Sequence, residues 1–461
     1  MFNHEVYRQR RHKLMNQIDS GLILLLGNVE APFNSVDNHY RFRQDSSFLY
    51  FCGHDQAGFA AILDADSGDE TLFGVEPSLE DTIWSGPTAS LTEKGEQIGI
   101  YRSEPFERLE LILAEARSSG RPVHFLPTSR AENLITLTRL TAIPLDSLEN
   151  SVSQALIKTV VSLRSVKGEE EVRELDSAAD LGFELHTTAM KMAVAGMYEW
   201  EISGALEAVA ARAGRMFSFP PIVTVHGETL HNHRRDNRLK NGDLLLVDAG
   251  VESQLHYASD HTRTSPVGGF DPRQRDIYMV VLRALERAKE LIRPGITYLG
   301  VHLDVCRTIV DGLKELGLMQ GETEEAVAAG AHALFMPHGL GHMLGLDVHD
   351  MEDLGEELVG YDDHVKRSEQ FGTARLRLGR KLEKNFALTV EPGIYFIPAL
   401  IEQWKSNRSC PDFINYSRLE SYSDFGGIRL EDDVLVTVDG NRLLGKALPL
   451  QIDEIEGYCR C

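Results

Sequence analysis

Three apolar segments in the second part of this chain run directly into carboxylates: Leu244-Leu245-Leu246-Val247-Asp248-Ala249-Gly250, Phe386-Ala387-Leu388-Thr389-Val390-Glu391-Pro392-Gly393, and Gly427-Ile428-Arg429-Leu430-Glu431, the last continuing through Asp432-Asp433-Val434-Leu435-Val436. Each reads as a strand, and a carboxylate carried into a core is costly unless it is paired, protonated or bound to a cation. A solvent-facing strand end, or an ion pair with a nearby arginine, accounts for any one of them. Three together, joined by Asp260 shortly after Tyr257 and by a histidine cluster, predict acidic ligands converging on metal ions.

The histidine cluster is Pro337-His338-Gly339-Leu340-Gly341-His342-Met343-Leu344-Gly345-Leu346-Asp347-Val348-His349. Its glycines run G-x-G-x-x-x-G rather than G-x-G-x-x-G, and no clear strand precedes them, which argues against a dinucleotide loop. Gly339 and Gly341 instead permit a loop or bulged strand whose backbone comes close to a neighbour. Charge counting then favours two ions: Asp248, Asp260, Glu391 and Glu431 carry −4, two divalent cations carry +4, and one neutral imidazole adds nothing. Such a balanced cluster can lie below the surface. Carboxylate-rich ligands with a single histidine suit Mn²⁺, with Co²⁺ and Zn²⁺ as alternatives. Two ions roughly 3.5–4 Å apart can lower the pKa of a water and polarise a carbonyl, so metal-assisted hydrolysis is the expected reaction.

Composition excludes several other classes. With 47 Lys plus Arg against 70 Asp plus Glu, the net charge of −23 opposes a phosphate-contacting surface, so no nucleic-acid partner is expected. Uninterrupted apolar runs such as Leu22–Leu26 are far short of the roughly 20 residues a membrane span needs. The start Met1-Phe2-Asn3-His4-Glu5 lacks the apolar segment of a signal peptide, and the expectation is a cytoplasmic protein without a membrane partner. The cysteines, Cys52, Cys306, Cys410, Cys459 and Cys461, are odd in number and contain no C-x-x-C pair, which suggests neither a disulfide framework nor a thiolate zinc site. Cys459-x-Cys461 reads as a terminus, not a ligand pair.

At 461 residues and 42% hydrophobic, the chain can bury a large core in two or three domains. Residues 1–160 mix helix and strand signals: Val6, Leu14 and Ile18 share a helical face, apolar runs follow at Leu22–Leu26 and 59–63, and the turn Asp66-Ser67-Gly68-Asp69 precedes a short strand at 71–73. From Glu169 the apolar residues Val172, Leu175, Ala179 and Phe183 recur at helical spacing. Helices are predicted over 271–292 and 298–316, parted by Pro294-Gly295, with Thr297 to cap the second. The expected domains are 1–160 and 161–461. The acidic stretch 350–363 reads as a solvated loop.

On these residues the chain resembles the proline-specific metallopeptidases of the aminopeptidase P and prolidase family. The segment from Arg43-Gln44-Asp45 to Gly53 is similar to an N-terminal signature of aminopeptidase P, and the catalytic motifs follow in order. The resemblance implies an α+β protein: an α/β N-terminal domain, then a pita-bread catalytic domain in which helices cover a curved antiparallel sheet. It implies that Asp248 binds one metal ion, that His342 and Glu391 bind the other, and that Asp260 and Glu431 bridge the two. Glu391 would also shuttle a proton, His349 would stabilise the tetrahedral oxyanion, and His338 would position the proline side of the substrate. His231 would line the proline pocket, and Arg429 would orient a ligand carboxylate, an ordinary ion pair being the alternative. Asp248 and Asp260 stand one residue further apart than is usual in the family, which a longer hairpin turn or one bulge would absorb.

The implied substrates are peptides with proline in second position, cleaved by a homodimer or homotetramer. Arg377 and the long segment 397–425 fit a prolidase, which must recognise the carboxylate of a Xaa-Pro dipeptide. The N-terminal signature favours an aminopeptidase, which is the expectation, with the dipeptidase as alternative. Metal-free binding modules of the same fold lack the ligands retained here.

Overall fold

The computed structural model describes residues 1–459; Cys461, the second member of the Cys459-x-Cys461 pair, lies outside them. The chain divides into two units, one comprising Met1–Arg164 with Met351–Leu358, the other Ser165–Asp350 with the chain from Val359 onward. An α/β unit followed by an α+β unit is the fold class expected.

In the first unit, Leu22–Leu26 is an interior strand of a five-stranded sheet of order Ser103–Pro105, Glu70–Gly74, Ala60–Asp64, Leu22–Leu26, Val123–Phe125. Its continuous apolar sequence reflects burial along nearly its whole length. Leu22, Leu24, Ile62 and Phe73 pack against Leu109 and Leu113 of one helix and Leu137 and Leu140 of another. The predicted turn closes the antiparallel pair Ala60–Asp64 and Glu70–Gly74, with Asp64 Oδ1 accepting the Asp66 and Ser67 N–H groups at 3.0 and 3.3 Å. The Arg43-Gln44-Asp45 signature proves to be a folding device. Gln44 Oε1 accepts the Asn28 N–H at 2.6 Å, and Asp45 Oδ1 caps the helix Ser46–Cys52 through the Phe48 N–H at 2.7 Å. That helix ends at Gly53 in the left-handed region (φ +71°), where a Cβ would collide with the Tyr7 ring.

The second unit begins with the helices Glu169–Met192 and Glu199–Arg212, which pack Leu185, Ala189, Ile202 and Leu206 onto Val223, Leu245 and Val247 of a three-stranded antiparallel sheet. In its middle strand, Leu244–Asp248, alternation puts Leu245 and Val247 against the helices and Asp248 on the other face. The paired helices lie at Pro272–Leu291 and Tyr298–Glu315, and Thr297 Oγ1 caps the second through the Gly300 N–H at 3.2 Å.

Two expectations are corrected. Segments 386–393 and 427–436 were each predicted as one strand, but each is broken: Ala387–Val390 pairs with Asp432–Val436, and Gly393–Tyr395 pairs with Gly427–Arg429. Pro392 has no N–H to give the ladder, and the Glu431 N–H turns away to the Thr262 carbonyl at 3.0 Å. The register nonetheless runs through the break, setting Glu391 opposite Glu431. The stretch 350–363 is not a solvated loop, since Asp350, Met351, Leu354 and Val359 are buried and a short helix forms at Glu356–Gly360.

Candidate metal centre

Asp248 and Asp260 come from one hairpin. Thr262 pairs with Asp248, Ala258 with Glu252, and the register between is continuous, so no bulge is present. Instead the extra residue is taken up in the turn, where Ser253 N–H reaches the Tyr257 carbonyl at 2.7 Å and His256 adopts φ +68°. Twelve positions apart in an unbroken register, both aspartates project from the same face.

Glu391 and Glu431 come from the two strand breaks. Like charges set directly opposite one another destabilise a sheet, so this pairing needs a cation or a proton between them. His342 arrives on the histidine loop, which runs beside Ala387–Val390: Thr389 N–H donates to the His342 carbonyl at 3.0 Å, and Glu391 N–H to the Leu340 carbonyl at 2.8 Å. Gly341 permits this approach, because a Cβ there would overlap the Thr389 carbonyl.

The side chains converge. His342 Nε2 lies 3.4 Å from Asp260 Oδ2 and 3.8 Å from Glu391 Oε1. One donor atom from each of Asp260, His342 and Glu431 falls within 4.8 Å of the others. His342 Nδ1 donates to the Met343 carbonyl at 3.0 Å, which leaves the Nε2 lone pair facing the carboxylates. Burial, then the neighbouring carboxylates, push the Asp260 and Glu431 carboxyls well above their ordinary values. Burial likewise raises Glu391 to about 7, with Asp260 and Asp248 adding to it and His342 and Arg429 opposing. Asp248 Oδ1 and Asp260 Oδ1 are buried with no hydrogen-bond partner. Orphaned acceptors and proton-hungry carboxyls around one imidazole are a donor set suited to hard divalent cations.

Arg429 is built into this cluster. Its Nη2 donates to Asp248 Oδ2 at 2.6 Å and its Nε to Thr262 Oγ1 at 3.0 Å, while the Thr262 hydroxyl donates to Glu431 Oε2 at 2.7 Å. Arg429 Nη1 also donates to the Tyr395 hydroxyl at 3.0 Å, and that hydroxyl faces His338 Nε2 at 3.0 Å. His338 Nδ1 donates to the Gly339 carbonyl at 2.7 Å, so both of its ring nitrogens are engaged. Thr262, Tyr395 and Asp433, which accepts the Asp260 N–H at 2.9 Å, were not singled out from sequence. For Thr262 a signal existed, since it stands two residues after Asp260 and so on the same strand face.

His349 stacks edge-on against His342, ring centroids 4.3 Å apart. Burial, reinforced by His342, Arg377 and His231, lowers it to about 2, so its imidazole is neutral. His231 is lowered by burial and by Arg429, and the charge of Arg377 bears on it as well as on His349. Arg375 is exposed and Arg380 lies over the Phe386 ring, so the three arginines do not form one solvated basic stretch.

Comparison with known proteins gives a consistent picture. Residues 173–438 match the model of metallopeptidase family M24, and residues 7–124 match that of the aminopeptidase P N-terminal domain. The chain is 31% identical over 462 residues to a Xaa-Pro aminopeptidase of Escherichia coli, covering 98% of this chain and 96% of that one. It is 30% identical over 446 residues to a human Xaa-Pro dipeptidase, covering 94% and 88%. A solved structure of proline aminopeptidase P II from Yersinia pestis superposes with a TM-score of 0.81 at 29% identity, covering all of both chains.

Proposed function

The chain belongs to metallopeptidase family M24, and from that premise we propose that it is a metal-dependent Xaa-Pro aminopeptidase, hydrolysing the bond between an N-terminal residue and a proline in second position. The observation that carries this reading is the meeting of Asp260, His342 and Glu431 within 4.8 Å, with Glu391 beside His342 and with an unpartnered, buried carboxylate oxygen on each of Asp248 and Asp260. In the proposed arrangement Asp248, Asp260, His342, Glu391 and Glu431 would hold two divalent ions, Asp248 on one side of the site and His342 with Glu391 on the other. We assign Mn²⁺, with Co²⁺ or Zn²⁺ able to substitute. When bound, such ions supply an activated water and polarise the scissile carbonyl.

The protein's own groups do the rest. The Glu391 side chain is 21% exposed against 8% for Asp260, so it faces the arriving substrate and is the group placed to take a proton and return it to the leaving proline nitrogen. Neutral His349 donates a hydrogen bond to the developing oxyanion. His231 lines the proline pocket, and His338, its nitrogens spent on Gly339 and Tyr395, offers its ring to the proline side. Arg429 holds the Asp248 carboxylate directly and the Glu431 carboxylate through Thr262.

One observation favours the dipeptidase alternative: the Arg377 charge acts on both His231 and His349, where a substrate carboxylate would need a partner. Comparing a Xaa-Pro-Xaa tripeptide with a Xaa-Pro dipeptide decides between them. The tripeptide is expected to be cleaved at least about tenfold better in kcat/KM, and Arg377→Ala to impair only the dipeptide; an enzyme inactive on tripeptides overturns the aminopeptidase reading.

Metal binding should strengthen with pH. Carboxyls raised above their ordinary range hold protons in the folded, metal-free protein, and those protons must leave when a cation binds. The rise in Tm on adding Mn²⁺ to chelator-stripped protein is therefore expected to be small near pH 4.5 and to grow through about pH 7, where Glu391 ionises. Buried neutral histidines such as His186 and His261 also add absolute stability as pH rises from their lowered values toward 6.5. They cancel in the difference between loaded and stripped protein. A Tm gain that shrinks with pH over this window contradicts the carboxylate centre.

Cytoplasmic residence and assembly as a homodimer or homotetramer complete the proposal. Among the described residues no helix is long and apolar enough to cross a membrane. Leu79, Ile83 and Trp84, all more than 70% exposed, offer apolar surface for subunit contact.

A further inference from the structure

The helix Tyr298–Glu315 carries His302 and Cys306 four residues apart, hence on one face, and the 3₁₀ turn Ala331–Leu334 brings His332 against them. All three are buried, with exposures of 0%, 0% and 1%. One donor atom from each lies within 4.8 Å of the others, with Cys306 Sγ 3.6 Å from His302 Nε2. The two imidazole rings stand edge to face, centroids 6.3 Å apart. His302 Nδ1 and both ring nitrogens of His332 have no hydrogen-bond partner in the protein. Buried imidazole nitrogens are ordinarily satisfied, and here three are not, beside a thiol and with no carboxylate in the cluster. Nothing in the peptidase mechanism uses these groups.

We infer that His302, Cys306 and His332 form a second cation site, separate from the carboxylate centre, that takes one thiophilic Cu(I) ion. The donor chemistry is soft, a sulfur and imidazoles, unlike the hard oxygen set of the first site. Charge selects the ion. A Cys306 thiolate, two neutral imidazoles and Cu⁺ sum to zero, whereas Zn²⁺ leaves a net positive charge in a buried place. The charged and ionisable neighbours acting on His302 are His332 and His338, and on Cys306 it is Arg307, all basic, so no carboxylate offsets that excess. Burial keeps His302 and His332 neutral, at about 3 and about 4, and keeps the thiol protonated. Binding therefore replaces the S–H bond with an S–Cu bond and releases one proton to solvent, with no change of oxidation state. The ion ties the helix to the turn that leads through Phe335-Met336-Pro337 into His338, and so anchors the entry of the histidine loop.

The test presents Cu(I) anaerobically, as its bicinchoninate complex, to the full-length purified protein, and also supplies copper during expression because the site is enclosed. The wild type is expected to hold one Cu(I) per chain with a sulfur scatterer in X-ray absorption. Cys306→Ala, a small apolar replacement for a buried thiol, is expected to lose that ion while keeping Xaa-Pro hydrolysis, and Glu431→Gln to retain it. Copper held equally by wild type and Cys306→Ala, copper without a sulfur neighbour, failure to load by both routes, or Zn²⁺ bound through sulfur in preference to Cu(I) would each overturn the proposal.

Discussion

Replacing Glu431 with glutamine is expected to lower Xaa-Pro hydrolysis by on the order of 10⁴-fold, about 5.4 kcal/mol of transition-state stabilisation, with loss of bound metal. Glu431 is 2% exposed, faces Glu391 across the strand break, and accepts the Thr262 hydroxyl at 2.7 Å. An amide of the same shape fills the same space but removes one of the four negative charges that balance two divalent ions. It also presents N–H donors where a ligand oxygen is needed. The fold should persist, because a neutral amide suits a position where burial, then Asp260 and Glu391, already hold the Glu431 carboxyl well above its ordinary value in stripped protein. Steady-state kinetics, elemental analysis and thermal unfolding on one preparation separate these effects. Near-normal turnover by a variant whose metal content has been measured would sink the two-ion centre.

The proposed ligands were legible in the sequence because a carboxylate at the end of an apolar run is a conspicuous expense, and because alternation in a strand tells which residues share a face. What alternation could not reveal is which member of Glu431-Asp432-Asp433 serves. The structure gives the three different partners: Glu431 faces the site, Asp432 is held by Arg263 at 2.6 Å and Lys289 at 2.8 Å, and Asp433 accepts the Asp260 N–H from behind. Those partners are 143 to 173 positions away in sequence, beyond the reach of any local pattern. The strand breaks at 391–392 and 430–431 escaped notice for a related reason. Pro392 announced one, but the other follows from the Glu431 N–H choosing Thr262, a contact made only in the folded sheet. The soft cluster was missed because a search for C-x-x-C pairs does not register a histidine four residues before a cysteine with a second histidine on a separate turn. The 350–363 stretch misled in the opposite direction: its acidic composition suggested solvent, yet Asp350 is buried in an ion pair with Lys167 at 2.7 Å.

His349→Ala is expected to reduce kcat by about 10²–10³-fold, roughly 2.7–4 kcal/mol, the range for losing one preorganised oxyanion donor. Its edge-to-face contact with His342, centroids 4.3 Å apart, ties its position to a proposed metal ligand, and burial with the nearby His342, Arg377 and His231 lowers its pKa to about 2. The imidazole is thus a neutral N–H donor throughout the working pH range, and it titrates too low to shape the pH–rate profile. Because the interaction is made with charge that develops only during reaction, kcat and kcat/KM should fall together while KM stays nearly constant. Metal content should match the wild type, and the profile of the residual activity should keep its shape. A rise in KM with kcat preserved would make His349 a ground-state binding group, and loss of metal would make it a support for His342. Either result would remove it from the transition state and leave the oxyanion without a protein donor on this side of the cleft.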